Sequence, residues 1–463
     1  MPRNTSVPST SALSRRLFLT ATGALSLGAA LTACGGSDSG SSAASAKPVS
    51  QADIDKAMKT PTQLTFWTWV PNIAKEVALF EKKYPAIKVK VVNAGQGTPQ
   101  YTKLRTALKA GSGAPDMVQI EYQAIPTFTI TDSLLDLRPY GASALKSAFV
   151  DWTWGQVSGP KGEVWAIPQD TGPMGMLYRQ DIFDKHGIEV PRTWDEFAAA
   201  ARKLHKADPD VYLTNLAANQ VAAWHGLLWQ AGAEPYVTAD RSDITIRVDD
   251  AVSKKLGAYW GGLAKEGVIG VEPDFTDSWY AALNKGKYAT WITAAWGPVF
   301  LSGSAKATAG KWRAAPLPQW DAAKPSSGNW GGSTTAVIRS TKNPIVAAEF
   351  AKFLNSDPAS AKMFATEQFF FPATRSLLTD QSFVSDAPSF YGGQKVNQVF
   401  ADISTTVNSS FQWPPFLDQA ATDWTETVGK SLADHTDTVR ALGTWQSRLT
   451  TYAKNQGFTV RGS

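Results

Sequence analysis

The chain has 463 residues, a formal net charge of +5, 43% hydrophobic and 18% charged residues, and one cysteine. This length implies two domains or two lobes around a large core. A chain with no long basic run lacks the electrostatic footprint of a nucleic-acid binder, and a single cysteine excludes an internal disulfide framework.

Arg15 and Arg16 open an apolar stretch, Leu17 to Ala33, which reads as an export signal and not as part of the fold. Ser14 to Leu19 resembles a twin-arginine motif. Leu31-Thr32-Ala33-Cys34 resembles a bacterial lipobox, which makes Cys34 the lipid-bearing first residue of the mature protein. Without Arg3, Arg15 and Arg16 the mature chain is close to +2. The Gly/Ser-rich run after Cys34 reads as a flexible tether.

Gln63 to Val70 is rich in β-formers and predicts a strand. Ile73 to Tyr84 carries helical spacing and stops at Pro85. Ile87 to Val92 alternates as a second strand, Tyr101 to Ala110 reads as a helix, and Asp116 to Tyr122 as a third strand. Strands alternating with helices imply βα units and a mostly parallel sheet. Val164 to Tyr178 is extended. Thr193 and Glu196 form a capping box for a helical region reaching about Asn284. Tyr288 to Thr293 and Ala336 to Arg339 return as strands. A helix covers Asn343 to Leu354, with Pro344 in its first turn, and the chain is largely helical from about Lys395.

Several of these segments, in this order, resemble the bacterial extracellular solute-binding proteins of ABC importers, in the carbohydrate-binding class that includes maltose-binding protein. They are Trp165-Ala-Ile-Pro168, Leu177-Tyr178-Arg179 with Gly187-Ile188 through Phe197, Gly286 to Pro298, Trp330 to Ser333 followed by Ala347 to Leu354, and Phe371 to Arg375. The resemblance implies an α/β, two-lobed fold of the type II periplasmic-binding-protein kind, with crossing hinge segments and the ligand cleft between the lobes. The expected layout is a signal peptide over 1–33 and a tether and lead-in over 34–61. Lobe one is expected over 62–168 plus 288–330, and lobe two over 170–287 plus 333–457.

A sugar offers an apolar C–H face and a rim of hydroxyls, so its site needs aromatic platforms among carboxylates and amides. The 18 tryptophans point the same way. Trp67 and Trp69 end the first strand, and Glu121 and Tyr122 end the third, where open α/β sheets place ligands. Gln169 and Asp170 lie on the first crossing. Trp224, His225, Trp279, Trp296, Trp330, Gly332, Asp418 and Trp424 complete the candidate ligand-binding set; Trp279 is expected to be exposed. Trp152, Trp154, Trp165, Trp194 and Trp260 are expected to pack.

Enzyme signals are thin. Ser143 and Lys146 match an acyl-enzyme pair, but its companion motifs are missing. The four histidines lack metal spacing, and no phosphate-binding glycine motif occurs. The expected function is a lipid-anchored, monomeric receptor without cofactor or metal, passing a carbohydrate to ABC permease subunits. The rivals are a glycoside-active enzyme and a receptor for a polyol such as a glycerol phosphate.

Overall fold

The computed structural model describes residues 47–461. Arg15, Arg16 and Cys34 lie outside the described residues. Among these residues the strands are β1 (Thr62–Trp67), β2 (Ile87–Val92), β3 (Met117–Glu121), β4 (Ala166–Pro168), β5 (Met174–Arg179), β6 (Tyr236–Thr238), β7 (Asp243–Ile246), β8 (Thr290–Ala294), β9 (Trp312–Pro316), β10 (Ser333–Val337) and β11 (Thr459–Arg461).

The first sheet has the order β2-β1-β3-β10-β4. β1 runs parallel to β2 and β3, joined by helices Ala74–Lys83 and Thr98–Ala110, as the βα reading requires. β10 enters antiparallel between β3 and β4. All five of its residues are buried, because the sheet is covered on both faces. The second sheet, β8-β5-β9, is antiparallel. β6 and β7 form a hairpin that β11 extends.

The cores follow the sheets. One apolar cluster gathers Leu64, Phe66, Val118, Ile167, Val337 and Phe350 in lobe one. Lobe two holds two clusters, one around Trp194, Trp224, Trp260 and Trp445, the other around Leu177, Trp291, Trp312 and Phe400.

These pairings correct the expected division. Residues 288–330 belong with lobe two, since β8 and β9 both pair with β5. The stretch from Ser333 into helix Pro344–Ser356 belongs with lobe one, through β10. β8 is buried along its whole length, and a strand buried on both faces carries no mark of its partner. The lead-in also differs: Gln51–Lys59 is a helix capped by Ser50, with Met58 buried. The region expected to be helical up to Asn284 is interrupted by the β6–β7 hairpin.

Among the described residues three segments cross between the lobes. Thr171 N donates to Phe371 O (2.8 Å), Trp330 N to Gly172 O (2.8 Å) and Gln169 N to Ser333 O (2.9 Å). Gly172 N donates to Asn329 Oδ1 (2.9 Å). The glycines are required here. A Cβ on Gly172 would lie 2.0 Å from Trp330 O. Gly332 has φ +91° and sits against Asp170 and Tyr122.

Candidate ligand site between the lobes

On lobe one, the end of β1 is held by Gln119. Its Oε1 accepts from Thr68 Oγ1 (2.6 Å) and from Trp69 N (3.1 Å). This fixes Trp69, half-buried, edge-on to Tyr101 at 6.3 Å. The Tyr101 hydroxyl donates to Glu121 Oε2 (2.9 Å) and accepts from Glu121 N (3.0 Å). Burial lifts the Glu121 carboxyl above its ordinary range. Trp67 is half-buried against the lobe-one core.

On lobe two, beside the crossing, stands an aromatic shelf. Trp296 is half-buried; its indole N–H donates to Trp330 O (2.7 Å), and the two rings meet edge-on at 4.8 Å. Phe275 lies 6.0 Å from Trp296 and 6.3 Å from Trp330. Phe275 is 37% exposed and Phe300 49% exposed. Soluble surfaces rarely gather exposed aromatics without a use for them. Phe275 also has φ 58°, a left-handed conformation that is an outlier for a bulky side chain and clusters at functional sites. The helix starts explain the display. Thr276 caps Asp277–Lys285 by accepting from Trp279 N (3.2 Å). Gly297 and Pro298 open the helix Gly297–Ser304, which carries Val299 and Phe300 outward.

The remaining expected residues fall elsewhere. Gln169 and Asp170 are both 5% exposed and belong to the hinge. Asp170 Oδ1 accepts from Ser333 N (3.0 Å) and Gln169 Nε2 (3.2 Å), and its carbonyl accepts from the Tyr122 hydroxyl (3.0 Å). Burial drives the Asp170 carboxyl up to about 7. Tyr122 and Gly332 serve the same junction, and Trp330 is buried within it.

Trp224, His225, Trp279 and Trp424 are core residues, each at most 2% exposed. The helix Val221–Gln230 is buried continuously from Trp224 to Gln230, because it is apolar on every face. His225 bonds Val221 O (2.9 Å) and the Tyr236 hydroxyl (3.2 Å), and burial pulls it down to about 4. Trp279, expected at the surface, is turned by its capped helix onto Trp291 at 5.1 Å. Asp418 is exposed but paired with Arg105 of lobe one at 2.9 Å. Trp152, Trp154, Trp194 and Trp260 pack as expected.

The expected set omits Tyr101, Asp274, Phe275 and Phe300. Left-handed backbone at a phenylalanine leaves no mark in sequence; the capping Thr276 beside it is the one local cue. It also omits a separate groove between the lobes, about 880 Å³, lined by Tyr122, Ile125 and Trp165 of lobe one and by Phe411, Gln412 and Trp413 of lobe two. The ion pair of Arg241 with Asp132 (2.7 Å) spans the lobes near it. Trp165 is therefore half-buried at a groove wall and not wholly in the core.

Residues 67–361 match the family model described as bacterial extracellular solute-binding protein. The arabinooligosaccharide-binding protein of Halalkalibacterium halodurans is 26% identical over 365 residues, 75% of this chain and 80% of that protein. The ABC transporter associated binding protein of B. animalis subsp. lactis, solved with β-1,6-galactobiose, is 32% identical. Its TM-score is 0.73, over 86% of this chain and 99% of that one. The galacto-N-biose-/lacto-N-biose I-binding protein of Bifidobacterium longum, solved with lacto-N-biose, is 26% identical with a TM-score of 0.74, over 86% of this chain and 98% of that one. With two lobes, three crossings and a family match over most of its length, this chain belongs to the bacterial extracellular solute-binding proteins.

Proposed function

We propose that this chain is a lipid-anchored receptor that captures an oligosaccharide between its lobes and delivers it, unaltered, to the permease subunits of an ABC importer. The observation that carries the reading is the shelf beside the hinge in which exposed Phe275 and Phe300 flank half-buried Trp296. Aromatic faces take the C–H face of a sugar ring, and one shelf of several rings suits more than one sugar. The similarity to proteins named for arabinooligosaccharide and solved with β-1,6-galactobiose or lacto-N-biose supports the same class. Hinge closure over the ligand is the motion such a fold performs. Attachment through Cys34, after twin-arginine export, and action as a monomer complete the reading.

The test is calorimetric titration of the purified chain with lactose, β-1,6-galactobiose, arabinooligosaccharides and sn-glycerol 3-phosphate, with chromatography of the sugars afterwards. Stoichiometric binding with intact sugar is expected. Cleaved products favour the enzyme rival, and tight binding of the phosphate alone favours the polyol rival. For the anchor, Cys34→Ser is expected to leave an unlipidated precursor; normal lipid labelling of that variant sinks the lipobox.

A second reading places the ligand in the groove beside Trp165 and Trp413, because its size lies within the range of ligand pockets. Trp165→Ala decides between the two: a large loss of sugar affinity there, with Trp296→Ala unaffected, moves the site to the groove.

A further inference from the structure

Next to the shelf lies a buried carboxyl with one oxygen left without a partner. Asp274 precedes Phe275 and is 5% exposed. Its amide donates to Asn219 Oδ1 (3.4 Å). The two loops that carry these residues are tied together: Asn215 Nδ2 donates to Glu272 O (2.9 Å), and Asn215 Oδ1 accepts from Glu272 N (2.9 Å). Asn219 and Gln220 approach the Asp274 carboxyl, yet its Oδ1 has no hydrogen-bond partner. The Trp279 indole N–H, whose ring lies 5.7 Å from Phe275, also lacks one. Buried polar atoms are nearly always paired, and an unpaired one calls for an explanation. Leaving a carboxyl oxygen so costs free energy in the empty protein.

We infer that Asp274 and Phe275 form one recognition unit for the end ring of a neutral oligosaccharide, with Phe275 under the C–H face and the Asp274 carboxyl accepting from a ring hydroxyl. This rests on the sugar-receptor reading above and narrows it. A site that hydrogen-bonds a hydroxyl discriminates strongly against an analogue lacking it, because the buried partner is then stranded. Neutrality follows from the charges. Glu121 of lobe one and Asp274 of lobe two are both carboxyls, and the Arg105 cation, on the helix that carries Tyr101, is already paired with Asp418. A phosphate or a uronic acid would bring a further negative charge toward these carboxyls without a free partner, and like charges in such a place are unfavourable. Burial lifts Asp274 to about 7, against the lowering effect of Gln220 and Asn219.

The experiment titrates the wild type, Asp274→Asn and Phe275→Leu with lactose, β-1,6-galactobiose and arabinooligosaccharides, beside melting curves. Asp274→Asn is expected to lose tenfold or more in affinity while its melting temperature holds or rises, the pattern of a binding group that works against stability. Phe275→Leu is expected to lose severalfold. Deoxy analogues of the best ligand supply the finer arm: one of them should bind the wild type tenfold or more weakly and Asp274→Asn no more weakly than the parent sugar. Wild-type affinity in Asp274→Asn overturns the assignment and leaves the receptor reading standing. Should Asp274→Asn fail to fold, unchanged affinity in Phe275→Leu overturns it equally. A wild type that binds none of the sugars overturns the receptor reading and this inference with it.

Discussion

Arg105 and Asp418 meet at 2.9 Å, one from helix Thr98–Ala110 of lobe one and the other from helix Leu417–Trp424 of lobe two. They join the lobes on the side where Tyr101 and Glu121 stand, since the Asp418 charge acts on Tyr101. The pair is a direct contact between the lobes, so it favours the arrangement in which they meet. Its side chains are 39% and 51% exposed, and exposed pairs contribute about 0.2–1 kcal/mol.

Asp418→Asn is therefore expected to weaken sugar binding by no more than about fivefold. The effect should shrink as salt is raised, and the exchanged pair Arg105→Asp with Asp418→Arg should regain part of the loss. A hundredfold loss, insensitive to salt, would mean that Asp418 touches the ligand directly. Titrations at two ionic strengths decide it.

The Asp170 carboxyl gives a second expectation, in pH. Burial is the main cause of its rise to about 7, with the charge of Glu121 adding to it, against the bonds from Ser333 and Gln169. Tyr122, which also faces it, is pushed further up by burial and stays neutral. The folded state thus holds this proton more tightly than the unfolded chain does, whose aspartates titrate near 3.9. The stabilisation is complete below about pH 4 and is lost as pH rises through 7. Asp170→Asn keeps an acceptor for Ser333 N but does not titrate. Melting temperature should fall less from pH 5.5 to pH 8 in this variant than in the wild type, by the equivalent of about 2 kcal/mol. Asp274, also lifted to about 7, acts in the same direction and leaves a residual slope. Equal slopes in the two proteins would place the Asp170 proton elsewhere.

Local signals in the sequence proved as informative as local physics allows. The capping box is present in both halves: Glu196 N donates to Thr193 Oγ1 (3.2 Å), and Thr193 N to Glu196 Oε2 (3.3 Å). β1, β2 and β3 follow their alternating or apolar runs. Questions of partnership were not legible. β8 could have joined either sheet, because it is buried on both faces. The tryptophans misled for a related reason. Trp224, Trp279 and Trp424 lie in the core with no hydrogen-bond partner for the indole N–H, whereas Trp229 and Trp445 find theirs on Asn408 O (2.6 Å) and Ala420 O (3.1 Å), 179 and 25 residues away in sequence. Phe275 went unseen because a left-handed backbone at a phenylalanine leaves no mark in sequence.

Gly332 tests the hinge. Its φ of +91° already disfavours any side chain, and a Cβ would lie 2.8 Å from Asp170 O and 2.9 Å from Tyr122 Cε2. Gly393 has a similar φ, +79°, with nothing within 4 Å. Gly393→Ala should therefore show the backbone cost alone, on the order of 1 kcal/mol. Gly332→Ala adds the clash and should be destabilised clearly more. Chemical denaturation of both variants measures the difference. Equal losses would show that the crossing is looser than its contacts imply.

The last expectation separates platform from core among the tryptophans. Trp69 and Trp296 are half-buried, one on each lobe. Trp194 is 1% exposed, donates to Gln230 Oε1 (3.1 Å) and packs edge-on against Phe197, Tyr259 and Trp260. Replacing a buried tryptophan with alanine costs about 3–5 kcal/mol, so Trp194→Ala should melt far earlier and yet bind sugar normally in the molecules that fold. Trp69→Ala and Trp296→Ala should do the reverse. A large aromatic contact is worth about 1.5–3 kcal/mol, which corresponds to roughly tenfold to a hundredfold in affinity. Trp296 carries one complication, since its indole N–H also holds Trp330 O at 2.7 Å. Trp296→Phe resolves it: the ring face survives and the hydrogen bond does not. Affinity close to wild type in Trp296→Phe, with a strong loss in Trp296→Ala, assigns the binding energy to the face. Equal losses in both assign it to the hinge bond, and full affinity in both removes Trp296 from the site.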